Sequence, residues 1–309
     1  MLRLLFLILL TLSFFPSFAQ DDLMDLLESQ EEERTDFTTA TFKTTRIINS
    51  HSVETLPHGE MNFIIGHRFG RVNSGIGDMF GLDNATIRLG FEYGVIDDLT
   101  IGIGRSSNQK IYDGFLKYKL LKQSSGKKNM PVSLTLFSNI AITTIKFTPQ
   151  QQDYPTSTRL YYSYQILLAR KFNKNLSIQL SPTLVHRNLV ETREDVNDVF
   201  LLGAGGRYKI TNSLSVNGEY FFIFPNQIES PVAGEEVKNM WALGIDLETG
   251  GHIFQLQFTN SRGMVEKTFL TESTGRLFGK NQEGNTTLMG EFHFGFNINR
   301  IFTIVKRKS

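Results

Sequence analysis

His51, His58 and His67 lie close together beside Glu54 and Glu60, and all five side chains are acceptable ligands for a divalent metal. Their spacing nevertheless matches no metal-binding histidine motif, which leaves turn and interface histidines as the simpler account. Ser181 and His186 are the residues nearest to a hydrolase pair. Five residues apart on an extended strand they point to opposite faces, so the nucleophile would have no base. The glycines of GIGDMFG from Gly75 and GAGG from Gly203 do not join a strand to a helix, and they read as loop turns and close strand approach rather than as a phosphate cradle. No cysteine is present, which excludes disulfides, thiolate metal sites, thiol nucleophiles and a lipid-anchored cysteine together. The sequence therefore points to no covalent chemistry, no metal and no cofactor. A formal net charge of +1 gives no reason to expect a nucleic-acid partner.

The informative charges are those that recur in one register. Arg68, Arg88, Lys117, Arg187 and Arg207, with Glu92, Glu219, Asp246 and Glu291, all fall on the polar face of segments that alternate apolar and polar residues. In 85–93, for example, Ala85, Ile87, Leu89, Phe91 and Tyr93 oppose Thr86, Arg88, Gly90 and Glu92. About twelve such segments follow one another: 60–69, 84–93, 99–104, 111–121, 132–145, 158–171, 175–187, 198–209, 213–224, 239–248, 251–260 and 286–298. Strict alternation over about ten residues is the pattern of a transmembrane β-strand, one face toward lipid and the other toward a lumen. An Arg or Lys facing lipid at mid-depth costs about 2–4 kcal/mol, so these nine charged residues are assigned to the lumen. There they serve either a salt-bridged scaffold or ion selectivity. Pro182, inside the seventh segment, predicts a local bulge.

The connections agree with a closed antiparallel barrel. Odd-numbered connections (70–83, 146–157, 188–197, 225–238 and 261–285) are long, with 105–110 the short exception. Even-numbered ones (94–98, 172–174, 210–212 and 249–250) are tight turns, with 122–131 the long exception. With both chain ends on the periplasmic side, the long connections face the cell exterior, and 225–238 and 261–285 should be accessible there. Closure also leaves no unpaired strand edge in lipid. The expected fold is a single all-β antiparallel transmembrane barrel over residues 60–309, with aromatic residues such as Trp241 near the strand ends forming interfacial girdles.

Residues 1–19 read as a cleavable signal peptide, with Arg3 before an apolar run, Pro16, and small residues at Ser17 and Ala19. The run is too short for a spanning helix, and its removal places a Gram-negative barrel in the outer membrane. Residues 20–40 follow as an acidic mobile tail; Asp21 to Asp36 carries eight carboxylates against Arg34. Residues 41–59, broken by Pro57 and Gly59, form a segment that lies either in the periplasm or within the lumen. The tail could dock a periplasmic protein partner or be drawn toward Arg68, Arg88 or Arg207 as a plug. The remaining expected partner is outer-membrane lipid.

Four stretches carry a resemblance: ATFKTTRIINSHSVETLPHGEMNFIIGHRFGR from Ala40, FGLDNATIRLGFEYG from Phe80, GRSSNQKIYDGFLKYKLL from Gly104 and FGFNINRIF from Phe294. Together they resemble an uncharacterised outer-membrane β-barrel family of Bacteroidetes-type bacteria. That resemblance implies location and fold and carries over no catalytic residue. It leaves two functions in view: a narrow channel or transport component for small solutes, and a plugged structural or assembly barrel that docks periplasmic partners. Barrels of eight strands are filled by side chains and those of sixteen or more hold open channels, so twelve strands do not decide between the two. The mature chain is expected to start at Gln20, to fractionate with outer membranes, and to migrate heat-modifiably on gels. Recovery in the soluble periplasm without detergent would refute the barrel.

Overall fold

The computed structural model describes residues 34–151, 153–280, 286–288 and 290–306. The leader and most of the acidic tail lie outside these residues. Twelve strands make one closed barrel: β1 (Glu60–Arg71), β2 (Ala85–Ile96), β3 (Leu99–Ser106), β4 (Ile111–Leu121), β5 (Ser133–Thr143), β6 (Leu160–Lys171), β7 (Leu176–Arg187), β8 (Asp198–Lys209), β9 (Leu214–Ile223), β10 (Met240–Thr249), β11 (His252–Thr259) and β12 (His293–Thr303). Each pairs antiparallel with its neighbours in sequence, and β12 closes on β1 from His293↔Arg71 to Thr303↔Glu60. No helix among the described residues is long and apolar enough to cross a membrane. The strands do so instead, because closure satisfies every backbone group without water.

The alternation in sequence becomes alternation in burial. On β2, Thr86, Arg88 and Glu92 are buried while Ile87, Leu89 and Phe91 are exposed on the outer surface. A soluble protein would bury the second set, so the exposed apolar band is the lipid-facing surface.

The sequence expectation is corrected at three places in the wall. The last strand is His293–Thr303 and not 286–298; Thr286–Leu288 pairs instead with Phe278–Lys280 in a small separate hairpin. Gly290 stands between the two runs at φ +65, with a Cβ position 3.1 Å from Asn73, and this left-handed turn ends the extended stretch. At Pro182 there is no extra residue; the β6–β7 pairing drops out and resumes in the same register. The inner face is not uniformly polar. Phe137, Leu167, Ala169, Val185, Val199, Leu201 and Phe221 on β5–β9 point inward and are fully buried.

These apolar positions have partners that enter the barrel. Residues 41–56 lie inside it, with Phe42, Ile47, Ile48 and Val53 in one buried cluster with Val185, Val199, Leu201 and Phe221. The same cluster takes in Phe269 and Leu270 of α1 (Glu266–Thr271), a short helix in the β11–β12 connection. The 261–285 connection is therefore not a simple surface loop: Ser261 and Met264–Thr271 are buried, and the polar chain around them conceals an apolar face.

The two ends of the barrel differ. Thr35–Phe37 pairs with Ser124–Gly126 at the β4–β5 turn, so the tail leaves at the end with short turns. Where the N-terminal segment passes over to β1, Gly94 accepts the Gly59 N–H at 2.9 Å, and a Cβ at Gly94 would sit 2.0 Å from the Pro57 carbonyl. That approach requires glycine. With no native cysteine, Glu236→Cys in the 225–238 connection and Lys174→Cys in the β6–β7 turn report orientation directly. An impermeant maleimide on intact cells should label the first and spare the second. The opposite result would invert the barrel.

Candidate functional site

Residues 41–56 form a hairpin whose tip reaches the middle of the lumen. Arg46 bridges to His51, the Ile47 N–H donates to the Ser50 carbonyl, and the Ser52 N–H donates to that of Thr45. The wall holds this hairpin mainly by its backbone. Inward amides and hydroxyls donate to its carbonyls: Gln255 to Ile47 at 3.0 Å, Asn297 to Ile48 at 3.0 Å, Gln179 to His51 at 2.8 Å and Thr135 to Val53 at 2.9 Å. Lys117 Nζ donates to the carbonyls of Thr45 and Glu54. Arg68 donates to Asn49 Oδ1 at 2.7 Å, and Arg207 reaches the Ala40 carbonyl at 3.2 Å.

Glu219 makes the densest contact. Its carboxylate accepts the Asn49 N–H at 2.8 Å, the Ser50 N–H at 3.1 Å and the Ser50 hydroxyl at 2.6 Å. Opposite it, Glu92 accepts from the Thr45 hydroxyl and from Asn62 Nδ2. Charge-assisted bonds of this kind are the stronger class, and they offset the cost of burying a carboxylate.

The β11–β12 connection enters from the other end and meets the hairpin. The Glu266 carboxylate lies 3.4 Å from His51 Nε2 and 3.8 Å from Arg46 Nη1. His51 itself packs between the rings of Phe115 and Phe137, at 4.5 and 4.2 Å between centroids. Arg88 forms a two-point ion pair with Asp113 across β2 and β4. Lys267 pairs with Glu272 and stands 4.4 Å over the Tyr161 ring.

Two vestibules flank this filled middle. At the long-connection end a cavity of about 490 Å³ is lined by Arg71, Asn84, Gln109, Arg262, Glu272 and Thr274 among others. Beside it Arg71 bonds Glu235 and, with Thr274, holds that exposed carboxyl down at about 2, so the pair stays ionised through the physiological range. At the short-turn end a cavity of about 280 Å³ lies against Thr38–Thr41, Glu54 and Lys119. Between hairpin and loop, the void lined by Arg46, Asn49, Arg68, Arg88 and Met264 is about 10 Å³, no more than one water.

Eight of the nine charged residues singled out from the register have buried side chains inside the wall: Arg68, Arg88, Glu92, Lys117, Arg187, Arg207, Glu219 and Asp246. Arg68, Glu92, Lys117 and Glu219 converge on the hairpin, and Arg207 reaches Ala40 just before it. Asp246 joins it indirectly through Gln255, which it accepts from at 2.9 Å. Arg187 stands apart and donates to the Val196 carbonyl in its own connection. Glu291 is not on the wall; it precedes β12 and pairs with Arg276 at 3.1 Å, because the strand begins two residues later. Sequence reasoning missed Asp113, although it shares the inward register with Lys117 four residues on. It also missed Glu266, whose signal was the run Met264–Leu270, too apolar for a surface loop.

The histidines do not gather. His51 is in the hairpin, His58 bonds the Val95 carbonyl at the mouth, and His67 faces outward, stacked 5.0 Å from Phe296. Among the described residues no group of three or more His, Cys, Asp or Glu is arranged to hold a metal ion. Ser181 is buried inside while His186 is on the outer face against Asp198.

A family model described as a membrane-bound beta barrel domain, DUF5777, matches residues 42–302. The chain belongs to that family. The match starts inside the hairpin, so the DUF5777 domain comprises the hairpin as well as the wall. No curated protein matches the sequence. Among solved structures the NanC porin is similar at 8% identity and a TM-score of 0.46, covering 79% of this chain and 100% of that one. The KdgM porin is similar at 7% and 0.44, covering 79% and 99%. An outer-membrane channel of Pseudomonas putida F1 is similar at 13% and 0.43, covering 81% and 98%.

Removing the Glu219 carboxylate orphans three buried donors of this DUF5777 barrel, at about 1–3 kcal/mol each. In Glu219→Ala, amide hydrogen exchange at Asn49 and Ser50 should accelerate at least tenfold, while exchange in β1–β3 stays unchanged. Equal protection in both proteins would show that the hairpin does not depend on Glu219.

Proposed function

We propose that this chain is a gated outer-membrane transport barrel for small solutes, resting closed with the 41–56 hairpin as its gate and performing no covalent chemistry. The observation that carries the reading is the pair of vestibules, one at each end, separated by a segment whose polar contacts run mainly from wall side chains to its backbone. Such contacts exchange for water without leaving orphaned groups, because Gln255, Asn297, Gln179 and Lys117 hydrate as readily as they bind the hairpin. The closed apolar-banded wall and the leader support an outer-membrane location after removal of residues 1–19.

The tail fits this reading as a handle. It leaves the barrel beside Ser124–Gly126, at the same end as the turns assigned to the periplasm, and Asp21 to Asp36 offers a strongly acidic strip to a basic periplasmic partner. Arg68, Arg88 and Arg207, once candidates to attract that tail, are already engaged by Asn49, Asp113 and the Ala40 carbonyl. These contacts favour a tail that works at the periplasmic end over one that plugs the lumen. The second reading, a permanently plugged assembly barrel, shares the same filled lumen and differs in whether the hairpin ever leaves.

Planar-bilayer recording separates the two. The intact protein should be silent at moderate voltage, and a variant lacking residues 41–56 should show the stepwise conductance of a narrow pore. A deletion variant that migrates heat-modifiably yet conducts nothing would remove the gate and leave the structural reading.

A further inference from the structure

An Arg in the outward register of a barrel strand costs about 2–4 kcal/mol at mid-depth and roughly 0–1 near the interface, so its depth decides whether it is tolerated. Arg105 is such a residue. On β3 it follows Ile101 and Ile103 in the outward register, is exposed as they are, and stands one residue before the strand ends at the long-connection rim. Its guanidinium lies 5.4 Å from the ring centroid of Tyr112, the outward residue paired with it on β4.

Three more cations continue this rim toward β6. The β3–β4 connection passes through two left-handed residues, Gln109 and Lys110, at φ +52 and +49, a backbone that costs energy for residues with side chains. The turn gives the Gln109 amide to Glu272 at the vestibule and leaves Lys110 exposed. The Lys110 carbonyl accepts from the Thr144 N–H and hydroxyl at 3.3 and 2.7 Å, which ties it to the chain leading into the exposed Lys146. Arg159, just before β6, donates to the Thr143 and Ile145 carbonyls at 3.3 and 2.6 Å and lies 3.6 Å from the Phe147 ring centroid. Hydrogen bonds and rings thus hold the four cations in one arc.

The protein does not neutralise that arc. Residues 105–110 and 144–159 carry Arg105, Lys110, Lys146 and Arg159 against Asp153 alone. Across the mouth the balance reverses, with Glu191, Glu194 and Asp195 against Arg193 in 188–197, and Glu229, Glu235 and Glu236 against Lys238 in 225–238. Arg71, Lys238 and Arg276 at this end are ion-paired with Glu235, Glu236 and Glu291. Among the described residues, the four cations of the arc share no ion pair with an acid.

Cations at the edge of the apolar band meet lipid headgroups, and Arg and Lys recognise phosphate there through charge-assisted hydrogen bonds. The width of the arc selects among phosphates. Neighbouring strands lie about 4.8 Å apart, so β3 to β6 spans about 14 Å, too wide for the single phosphate of a glycerophospholipid and suited to a disaccharide with a phosphate at each end. We propose that the rim over β3–β6 binds a diphosphorylated glycolipid of the outer leaflet, with Arg105 and Lys110 taking one phosphate and Lys146 and Arg159 the other. Its acyl chains lie against the outward Tyr112, Leu116 and Ile140. The site rests on the orientation that places the long connections outside. Orientation is read separately by the cysteine labelling and the gate by conductance, so each can fail alone.

The test titrates the full mature chain, in phosphatidylcholine nanodiscs, with diphosphoryl lipid A and counts bound lipid by native mass spectrometry. One lipid A per barrel should be retained at least tenfold more tightly than phosphatidylglycerol or lipid A stripped of its phosphates. Arg105→Gln and Lys146→Gln should each weaken retention several-fold and together at least tenfold, with heat-modifiable migration confirming assembly of each variant. Arg300→Gln removes an outward Arg that stands over Phe302 at the opposite end of the wall, and it should leave retention unchanged. Equal retention of phosphatidylglycerol, an equal loss in Arg300→Gln, or unchanged retention in the double variant would each overturn the proposal.

Discussion

A barrel of twelve strands encloses more space than its own side chains can fill and less than a wide aqueous channel needs, and the inward polar groups must still find partners. Everything inside this protein follows from that constraint. Wall residues such as Gln179, Gln255 and Asn297 do not pair across the lumen but bond to the hairpin brought into it. Glu219 shows the principle in one residue, because a lone inward carboxylate in a dry lumen would be prohibitive and here it accepts the two N–H groups at the hairpin tip. Across the lumen, Lys117 is the counterpart cation and spends its ammonium on carbonyls of the same hairpin.

The interior is divided, and the hairpin matches the division. Toward β12 and β1–β3 the wall presents Asn297, Arg68, Arg88 and Glu92; toward β5–β9 it presents Phe137, Leu167, Val185, Val199, Leu201 and Phe221. The hairpin turns Arg46 and Asn49 to the first side and packs Phe42, Ile47 and Val53 on the second. Because α1 adds Phe269 and Leu270 to the same apolar cluster, the hairpin and the connection are parts of one core. A core on the inside and a lipid-facing band on the outside give β5–β9 apolar side chains on both faces, set among inward polar ones such as Thr135, Gln179 and Glu219.

How much of this was legible in the sequence follows from what alternation encodes. Period two reports which face a residue occupies, and it therefore gave the strand number, the turns and the inward side of Arg68, Arg88 and Lys117. It does not report what fills the space beyond that face. Phe137 and Phe221 read as inward positions with the wrong chemistry, and their reasons lie in His51 and Phe269, dozens of residues away. Glu291 and the last strand failed for a local cause: the β-prone TTL from Thr286 runs on toward FGFN, and the left-handed Gly290 between them is a backbone feature that composition does not display. Glu266 was hidden by its setting, since a buried ion pair needs a partner from another element, and Arg46 is 220 positions earlier in the chain.

The divided interior also sets the energetics of any opening. On the polar side, hairpin withdrawal exchanges hydrogen bonds with protein for hydrogen bonds with water, which is close to neutral. On the apolar side it exposes Phe42, Ile47, Ile48, Val53 and Leu56, all at least 97% buried, at roughly 1.5–3 kcal/mol each. Those five residues alone place the withdrawn state on the order of 10 kcal/mol above the closed one, an upper figure because the freed segment recovers some burial and conformational entropy. A difference of that size lies at the level of a whole domain's stability, so thermal fluctuation does not open the lumen to a useful extent. Work must be supplied either by a ligand that binds the withdrawn state far more tightly than the closed one, or by a force on the tail beside Ser124–Gly126. The apolar half of the hairpin is thus the lock and the polar half makes the empty lumen tolerable, so the two chemistries have to be on opposite sides of one segment.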